Sequence, residues 1–413
     1  MTRSPRLAPV MVGSDLGIYA MARAFHERWG VHSHTVSNLP RGFINDSAIL
    51  TPILLGENGT KADQRAALDR LAVRARERGD EPVLVVNSDS GVDTVDTDRD
   101  WYEERFTVIV PPGQAVRAVE DKARLAGLAT ASGLHTPRER VIDFTALDGW
   151  RAAAEEIEPP YILKPATSGD YENLHFPGKL KVYVLEDVSA LEFTLERIAE
   201  AGYGGRMLLQ ELIPGDDTHG YVATVYIDRT GTATLQATAR MLLAIHTPNL
   251  LGNMALGLVR WYPDVAERVT AVLRDIGYRG FATVDVKVDA RTGTPYLLDI
   301  NPRPGRSNHF ISMGGINPME VAVADVRGEE LPPRHTGEGG VYRIVPLALL
   351  RRYVTDPVLR GEVAAARRAH GVTHPQAYPA DSNPRRTFYR YAASINHVRA
   401  FARVYPRPTW TSF

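Results

Sequence analysis

The chain has 413 residues, 44% of them hydrophobic and 23% charged, with a formal net charge of −1. That length gives roughly two to four domains with ample core, and the near-zero charge exerts no overall pull toward nucleic acid or membrane. Cysteine is absent, which excludes disulfides and thiol catalysis and fits a cytoplasmic location best.

The first apolar run is interrupted by Gly13, Asp15 and Gly17, so it does not read as a signal peptide. No run approaches the ~20 apolar residues of a membrane span. One bias is informative: of 48 basic residues only six are lysines, at 61, 122, 164, 179, 181 and 287. In a chain that uses arginine wherever any cation will do, a lysine kept in a motif-like place is a candidate for a specific task.

In chain order, residues 8–13 read as a buried strand running through a glycine turn into a helix over 18–29, the opening of a doubly wound parallel sheet. A strand over 31–37, a helix over 65–79 and strands over 82–86 and 107–110 follow. Pro111-Pro112-Gly113 ends this N-terminal α/β domain, placed at 1–115. A helix over 116–132, a strand over 161–165, a polar glycine-bearing loop over 166–181, a strand over 182–185 and a helix over 188–201 make a second unit, 116–205. Beyond a glycine-rich link, strands at 207–211, 222–227 and 232–239, a helix at 265–276, two strands carrying acids and a helix at 317–326 make a third, 206–330. The remainder, 331–413, reads as a basic extension: from His335 onward there are twelve arginines, no lysine and four acids.

The most informative stretch is Thr283-Val284-Asp285-Val286-Lys287-Val288 with Tyr296-Leu297-Leu298-Asp299-Ile300-Asn301-Pro302-Arg303. Alternation predicts two antiparallel strands joined at Gly293, with Asp285, Asp299 and Asn301 on one face. Two carboxylates and an amide oxygen suit Mg²⁺, which takes few protein ligands and completes its shell with phosphate and water. Arg303 lies beside them as an anion clamp. The plainer alternative is two surface acids flanking a hairpin.

Other candidates are individually weaker. Lys122 and Lys164 are point cations suited to triphosphate oxygens. Residues 167–181, with Thr167, Ser168, Gly169 and Gly178 for backbone freedom and Lys179 and Lys181 for charge, can form a lid over phosphate or a surface hairpin. Gln210-Glu211-Leu212-Ile213-Pro214-Gly215-Asp216-Asp217 offers an apolar slot with backbone groups at Glu211 and Ile213 for an adenine edge and Asp217 for ribose hydroxyls, or it is simply a turn. Arg306, Ser307 and Asn308 can bind a substrate carboxylate. The histidines 175, 219, 246 and 309 show no metal-ligand spacing. Trp261 and Tyr262 read as core or interface, and Arg385–Tyr391 interleaves cations with aromatics too briefly for a nucleic-acid signature.

The order of these motifs, from Asp121-Lys122 through Lys164, the glycine loop and Gln-Glu-x-Ile-Pro-Gly-x-Asp to Asp-x-Asn-Pro-Arg, resembles the ATP-grasp superfamily. It is similar in particular to the carboxylate–amine ligases of the D-aspartate ligase-like subgroup. The resemblance covers roughly residues 80–328. It implies an ATP-grasp fold of α/β and α+β character and an ATP-dependent ligase that makes an acyl-phosphate. The substrates it implies are small-molecule carboxylates and amines of the amino-acid, peptide or cell-wall-precursor kind. Lys122 and Lys164 would contact ATP phosphates, with Ser168 and Gly169 in the lid. Gln210, Glu211 and Ile213 would read adenine, and Asp217 ribose. Asp285, Asp299 and Asn301 would hold two Mg²⁺, Mn²⁺ being an acceptable substitute. Arg303 would steady the acyl-phosphate, and Arg240 is a further γ-phosphate contact. Both metal acids are Asp where many relatives have Glu, and Gln210 stands where many have an acid. No nucleic-acid or membrane partner is implied, and a homodimer is admissible. Rival readings are an ATP-grasp enzyme with another acceptor, of the purine-pathway or bicarbonate-activating type, and a nucleotide-binding regulatory protein without turnover.

Overall fold

The computed structural model describes residues 5–120, 122–166, 171 and 174–412, without the side chains at 120, 122, 123, 148 and 249. Its strands form three sheets. The first is parallel: β1 (Leu7–Val12), β2 (Ser33–Ser37), β3 (Leu50–Leu54), β4 (Glu81–Val86) and β5 (Thr107–Ile109), in spatial order β3-β2-β1-β4-β5. The chain reverses its winding between β1 and β4, so the crevice beyond their C-terminal ends is a topological switch point. Gly13 makes the turn out of β1 at φ 120°, and Asp15 caps the helix Leu16–Trp29 by accepting from Ile18 N at 2.9 Å. Asn87, just past β4, donates to both Asp15 oxygens at 3.0 and 3.2 Å.

The second sheet is antiparallel, β6 (Glu139–Asp143), β7 (Tyr161–Pro165), β8 (Tyr183–Leu185) and β9 (Arg206–Glu211), in order β6-β9-β7-β8. It packs on the helix Val188–Glu200, whose Leu191, Leu195 and Ile198 recur at helical spacing and are buried against Leu163, Met207 and Leu209.

The third sheet holds β10 (Gly220–Ile227), β11 (Ala233–Ala244), β12 (Met254–Val259), β13 (Gly280–Val288), β14 (Pro295–Asn301), β15 (Arg334–His335), β16 (Gly340–Arg343) and β17 (Val372–Thr373). Its main path runs β14-β13-β10-β11-β12-β16-β17, with β15 beside β11. The period of two in β13 decides which face does what. Ala282, Val284 and Val286 meet Val265, Val269, Val272 and Leu273 of the helix Pro263–Asp275 in one apolar cluster, each buried Val or Leu contributing about 1.5–3 kcal/mol. Thr283, Asp285 and Lys287 are left on the opposite face.

Six strands escape the sequence reading: β15, β16 and β17 of the extension, and three more for which the physical reason is plain. β12 is buried along its whole length, so it shows no alternation. β3 carries Pro52, and β6 is short. The expected helix over 116–132 is observed as helices Gly113–Glu120 and Lys122–Ala131. The basic extension is no mere appendage, since β16 and β17 complete the third sheet and the helix Pro384–Val404 packs on the molecule through buried Arg386 and Phe401. No helix among the described residues is long and apolar enough to cross a membrane.

Candidate active site

Asp285 and Asp299 are direct cross-strand partners, and Asn301 pairs with Thr283 one step along. Cross-strand partners share a face, so both carboxylates and the amide project together. A register shift after Asp285 brings Val286 opposite Leu297, and the extra residue, Leu298, joins the same wall. This face lines a cavity of about 360 Å³ that also receives Lys164 from β7, Lys181, Asp217 and Arg303. Burial, reinforced by the charge of Asp299, pushes the Asp285 carboxyl up to about 7, against the opposing pull of Arg303, Lys164 and Lys181. A buried carboxyl whose ionisation a neighbouring carboxylate opposes is a donor suited to a cation. Among the described residues no cluster of three or more His, Cys, Asp or Glu gathers as a metal site, here or elsewhere. Two carboxylates with an amide oxygen are instead the sparse set that Mg²⁺ accepts.

Arg303 is held by a fork: Nε to Asp89 Oδ1 at 2.7 Å and Nη2 to Asp89 Oδ2 at 3.2 Å. Nη2 also donates to Asn301 Oδ1 at 3.1 Å. Asp89 opens the helix Asp89–Thr97 at the switch-point end of the parallel sheet, so the clamp is oriented by the first sheet and aimed from the third. Thr283 Oγ1 ties the same turn down, donating to Arg303 O at 2.9 Å and accepting from Gly305 N at 2.9 Å.

At the other end of the cavity Asp217 is buried. Its Oδ2 accepts from Ala244 N at 2.8 Å and is 2.9 Å from His246 Nε2, while Oδ1 is buried with no partner. His246 lines the cavity and stacks on Tyr405 with ring centroids 3.5 Å apart. Lys287 completes this end. Burial pushes it down to about 8 against the pull of Asp217, Asp216 and Asp289, and its Nζ donates to Thr411 O at 3.2 Å.

Lys164, Asp217, Asp285, Asp299, Asn301 and Arg303 are therefore brought together, while Gln210, Glu211, Ile213 and Arg240 do not line this cavity. Gln210 is buried on β9 and donates to Glu139 Oε2 at 3.2 Å. Glu211 accepts from Arg138 N and Nε at 2.9 and 3.0 Å, and its own N–H donates to Arg138 O at 2.9 Å, so that N–H is not free to read a base. Ile213 is buried. Arg240 donates to Thr218 O at 2.7 Å and lies over the Tyr221 ring. The side chain of Lys122, at the start of its helix, and all of Thr167, Ser168 and Gly169 lie outside the described residues. Lys179 turns away, its Nζ donating to Leu174 O at 2.7 Å. Trp261 stacks on His335 at 4.4 Å and Tyr262 packs edge-on to Tyr221.

Lys287, His246 and Ser412 line the site without having been singled out. For Lys287 a signal was present in the scarcity of lysine: half of the six, Lys164, Lys181 and Lys287, face this one cavity.

No family model matches the chain. It is 26% identical over 319 residues to a D-aspartate ligase of Enterococcus faecium (strain Aus0004), covering 77% of this chain and 76% of that one. It is 28% identical over 199 residues to a D-alanine–D-alanine ligase of Xylella fastidiosa, covering 46% of this chain and 60% of the relative. Among solved structures, the biotin carboxylase domain of the Hydrogenobacter thermophilus 2-oxoglutarate carboxylase, in complex with MgADP, superposes with a TM-score of 0.60 at 17% identity, over 81% of this chain and 73% of that one. The ADP complex of an N5-carboxyaminoimidazole ribonucleotide synthetase gives a TM-score of 0.56 at 15% identity, over 83% and 82%. At such identities the structures speak for the fold, while the ligase relatives speak for the chemistry. Taken together, these likenesses show an ATP-grasp fold and a resemblance to ATP-dependent carboxylate–amine ligases.

Proposed function

We propose that the protein uses ATP to turn the carboxylate of a small molecule into an acyl-phosphate and joins it to an amine, an amino acid being one partner and a peptide or cell-wall precursor the other. The observation that carries this reading is the shared face of Asp285, Asp299 and Asn301, opposite Lys164 and Lys181 and beside Arg303, in one cavity. The relative named D-aspartate ligase supports an amino-acid substrate. The domain limits 1–115, 116–205, 206–330 and 331–413 belong to the same proposal.

A carboxylate is a poor electrophile toward amines, and phosphorylation gives it a leaving group. Asp285, Asp299 and Asn301 would hold Mg²⁺, one ion or two. When bound, Mg²⁺ neutralises phosphate oxygens and lines up the γ-phosphoryl group. Lys164 and Lys122 hold the triphosphate. Asp217, with its unpartnered Oδ1, takes a ribose hydroxyl. Gln210, Glu211 and Ile213, engaged in or beside the β6–β9 pairing, would shape the slot for the base from behind rather than read its edge, and Arg240 supports the turn before β10. Arg303, released in part from Asp89, meets the charge that grows on the carbonyl oxygen when the amine attacks, a role in which a well-placed donor contributes ~3–4 kcal/mol. Closure of residues 167–181 would exclude water, which otherwise hydrolyses the acyl-phosphate.

The test is ADP release from ATP and Mg²⁺ in the presence of pooled amino acids and small peptides. Release that depends on a carboxylate–amine pair supports the ligase. Release that ignores the carboxylate–amine pair overturns the ligase reading, and no release with any pair favours the nucleotide-binding regulatory protein.

A further inference from the structure

The 21-residue helix Pro384–Val404 is seated on the molecule by one face. Asn383 caps it by accepting from Arg386 N at 2.9 Å, Arg386 pairs with buried Asp381 at 3.0 Å, and buried Phe401 packs on Tyr353 and His246. Tyr389 also turns inward, its ring lying where a Cβ added to Gly42 would meet it at 2.8 Å. A different face carries Phe388, Tyr391, Ile395 and Val398, at steps of three, four and three residues, which is one continuous line along a helix. These four side chains are large and apolar, yet they are 68%, 64%, 54% and 39% exposed. Ala402, four residues further on, continues the line and is exposed too.

The charge beside this line has one sign. From Ser382 to Phe413 there are six arginines, at 385, 386, 390, 399, 403 and 407, and no aspartate or glutamate. The whole-chain charge of −1 hides this asymmetry. Arg385, Arg399 and Arg403 are exposed and run along one edge of the apolar line: Arg385 is three residues before Phe388, Arg399 four after Ile395, and Arg403 four after Arg399. Arg385 has Asp46 at 3.6 Å, but its side chain stays 81% exposed. Arg386, by contrast, is a structural cation with its own buried acid.

An exposed apolar line edged by arginine and free of acid fits a surface that is both apolar and anionic. A second copy of the helix fits poorly, since pairing would set arginine against arginine. Four part-exposed side chains, at most ~150–250 Å² each where aromatic, also fall short of the ~800 Å² per partner that a stable dimer buries. A line on a convex helix offers a peptide no groove. A bilayer interface needs none: it receives an amphipathic helix lying flat, apolar residues toward the acyl chains and cations among anionic headgroups. The helix is not long and apolar enough to cross a membrane, so the contact is superficial.

We propose that Phe388, Tyr391, Ile395 and Val398, flanked by Arg385, Arg399 and Arg403, dock the protein on an anionic lipid bilayer. This stands apart from the ligase reading, since none of these residues lines the active-site cavity. The experiment is co-sedimentation of the full chain with vesicles of phosphatidylcholine alone and of phosphatidylcholine with about one third phosphatidylglycerol, at ~0.1 and ~0.5 M NaCl. Wild type is compared with three paired variants, Phe388→Ser with Ile395→Ser, Arg399→Gln with Arg403→Gln, and Arg399→Lys with Arg403→Lys. Melting temperature and sedimentation velocity without lipid are recorded for each.

Wild type should bind the anionic vesicles about tenfold or more better than phosphatidylcholine, and the higher salt should weaken that preference. The serine pair and the glutamine pair should each lose about tenfold on anionic vesicles, with melting temperatures near wild type. The lysine pair should bind like wild type, because a lipid surface reads charge rather than guanidinium geometry. Wild type that does not prefer anionic vesicles, or serine and glutamine pairs that both bind like wild type, overturns the proposal. A dimer of wild type that the serine pair loses, without vesicle binding, assigns the line to a second copy and also overturns it. A serine pair that melts well below wild type while the glutamine pair binds vesicles normally makes the line structural and does the same.

Discussion

The face of β13 and β14 and the seam between β16 and the C-terminal helix solve opposite problems in the same way. In the first, Asp285 and Asp299 are set against each other so that Asp285 resists ionising. In the second, burial first and then the charge of Arg390 hold Arg343 below its usual range. Neither arrangement is what stability alone would select, because like charges in a partly dry place cost free energy until a counter-ion arrives. The face of β13 and β14 suits metal, with Arg303 beside it in the same cavity, held by Asp89.

Breaking the acidic face should have the largest effect. Asp299→Ala is expected to lower ADP release by about three orders of magnitude or more, since metal neutralisation of phosphate is worth several kcal/mol, while the melting temperature stays near that of wild type. Normal turnover would contradict the metal assignment. Arg303→Ala, beside that face, should lower kcat about 10²- to 10³-fold, and a loss confined to KM would demote it to a binding residue. Lys164→Ala should raise the KM for ATP about tenfold or more, as a charge-assisted contact to phosphate is lost, and an unchanged nucleotide affinity would remove it from the phosphate site.

The smallest effect is on stability and belongs to the basic seam. His309 and His374 are each pushed down to about 3, chiefly by burial and further by neighbouring cations. The unfolded chain therefore binds protons that the folded one refuses between pH ~6.5 and ~3, and stability should fall as pH drops through that window. Urea unfolding at pH 7 and pH 5 measures it, and replacing both histidines with glutamine should flatten the difference. An equal drop in the double variant would assign the acid sensitivity to other groups.

The acidic face was legible because it is local. Alternation in Thr283–Val288 and Tyr296–Asn301 puts three ligands on one face across a short hairpin, and only the register shift after Asp285 was hidden. The basic seam was not legible, because Arg343 and Arg390 come from a strand edge and a helix far apart in sequence. Nothing in the pattern around Arg390 separates it from Arg386, which has its acid. The adenine side was read from a motif, but which backbone groups are free depends on strand pairing. The Glu211 N–H is taken by Arg138 O through the pairing of β6 with β9. His246 was one histidine among several until the fold set it on Asp217 and stacked it against Tyr405 from the C-terminal segment.

The central claim is that this cavity activates a carboxylate with ATP, and hydroxylamine trapping tests it most directly. With ATP, Mg²⁺ and the carboxylate that supports ADP release, the wild-type protein should form the corresponding hydroxamate in step with ADP, and Asp299→Ala should form none. Release of ADP without any hydroxamate would contradict the account.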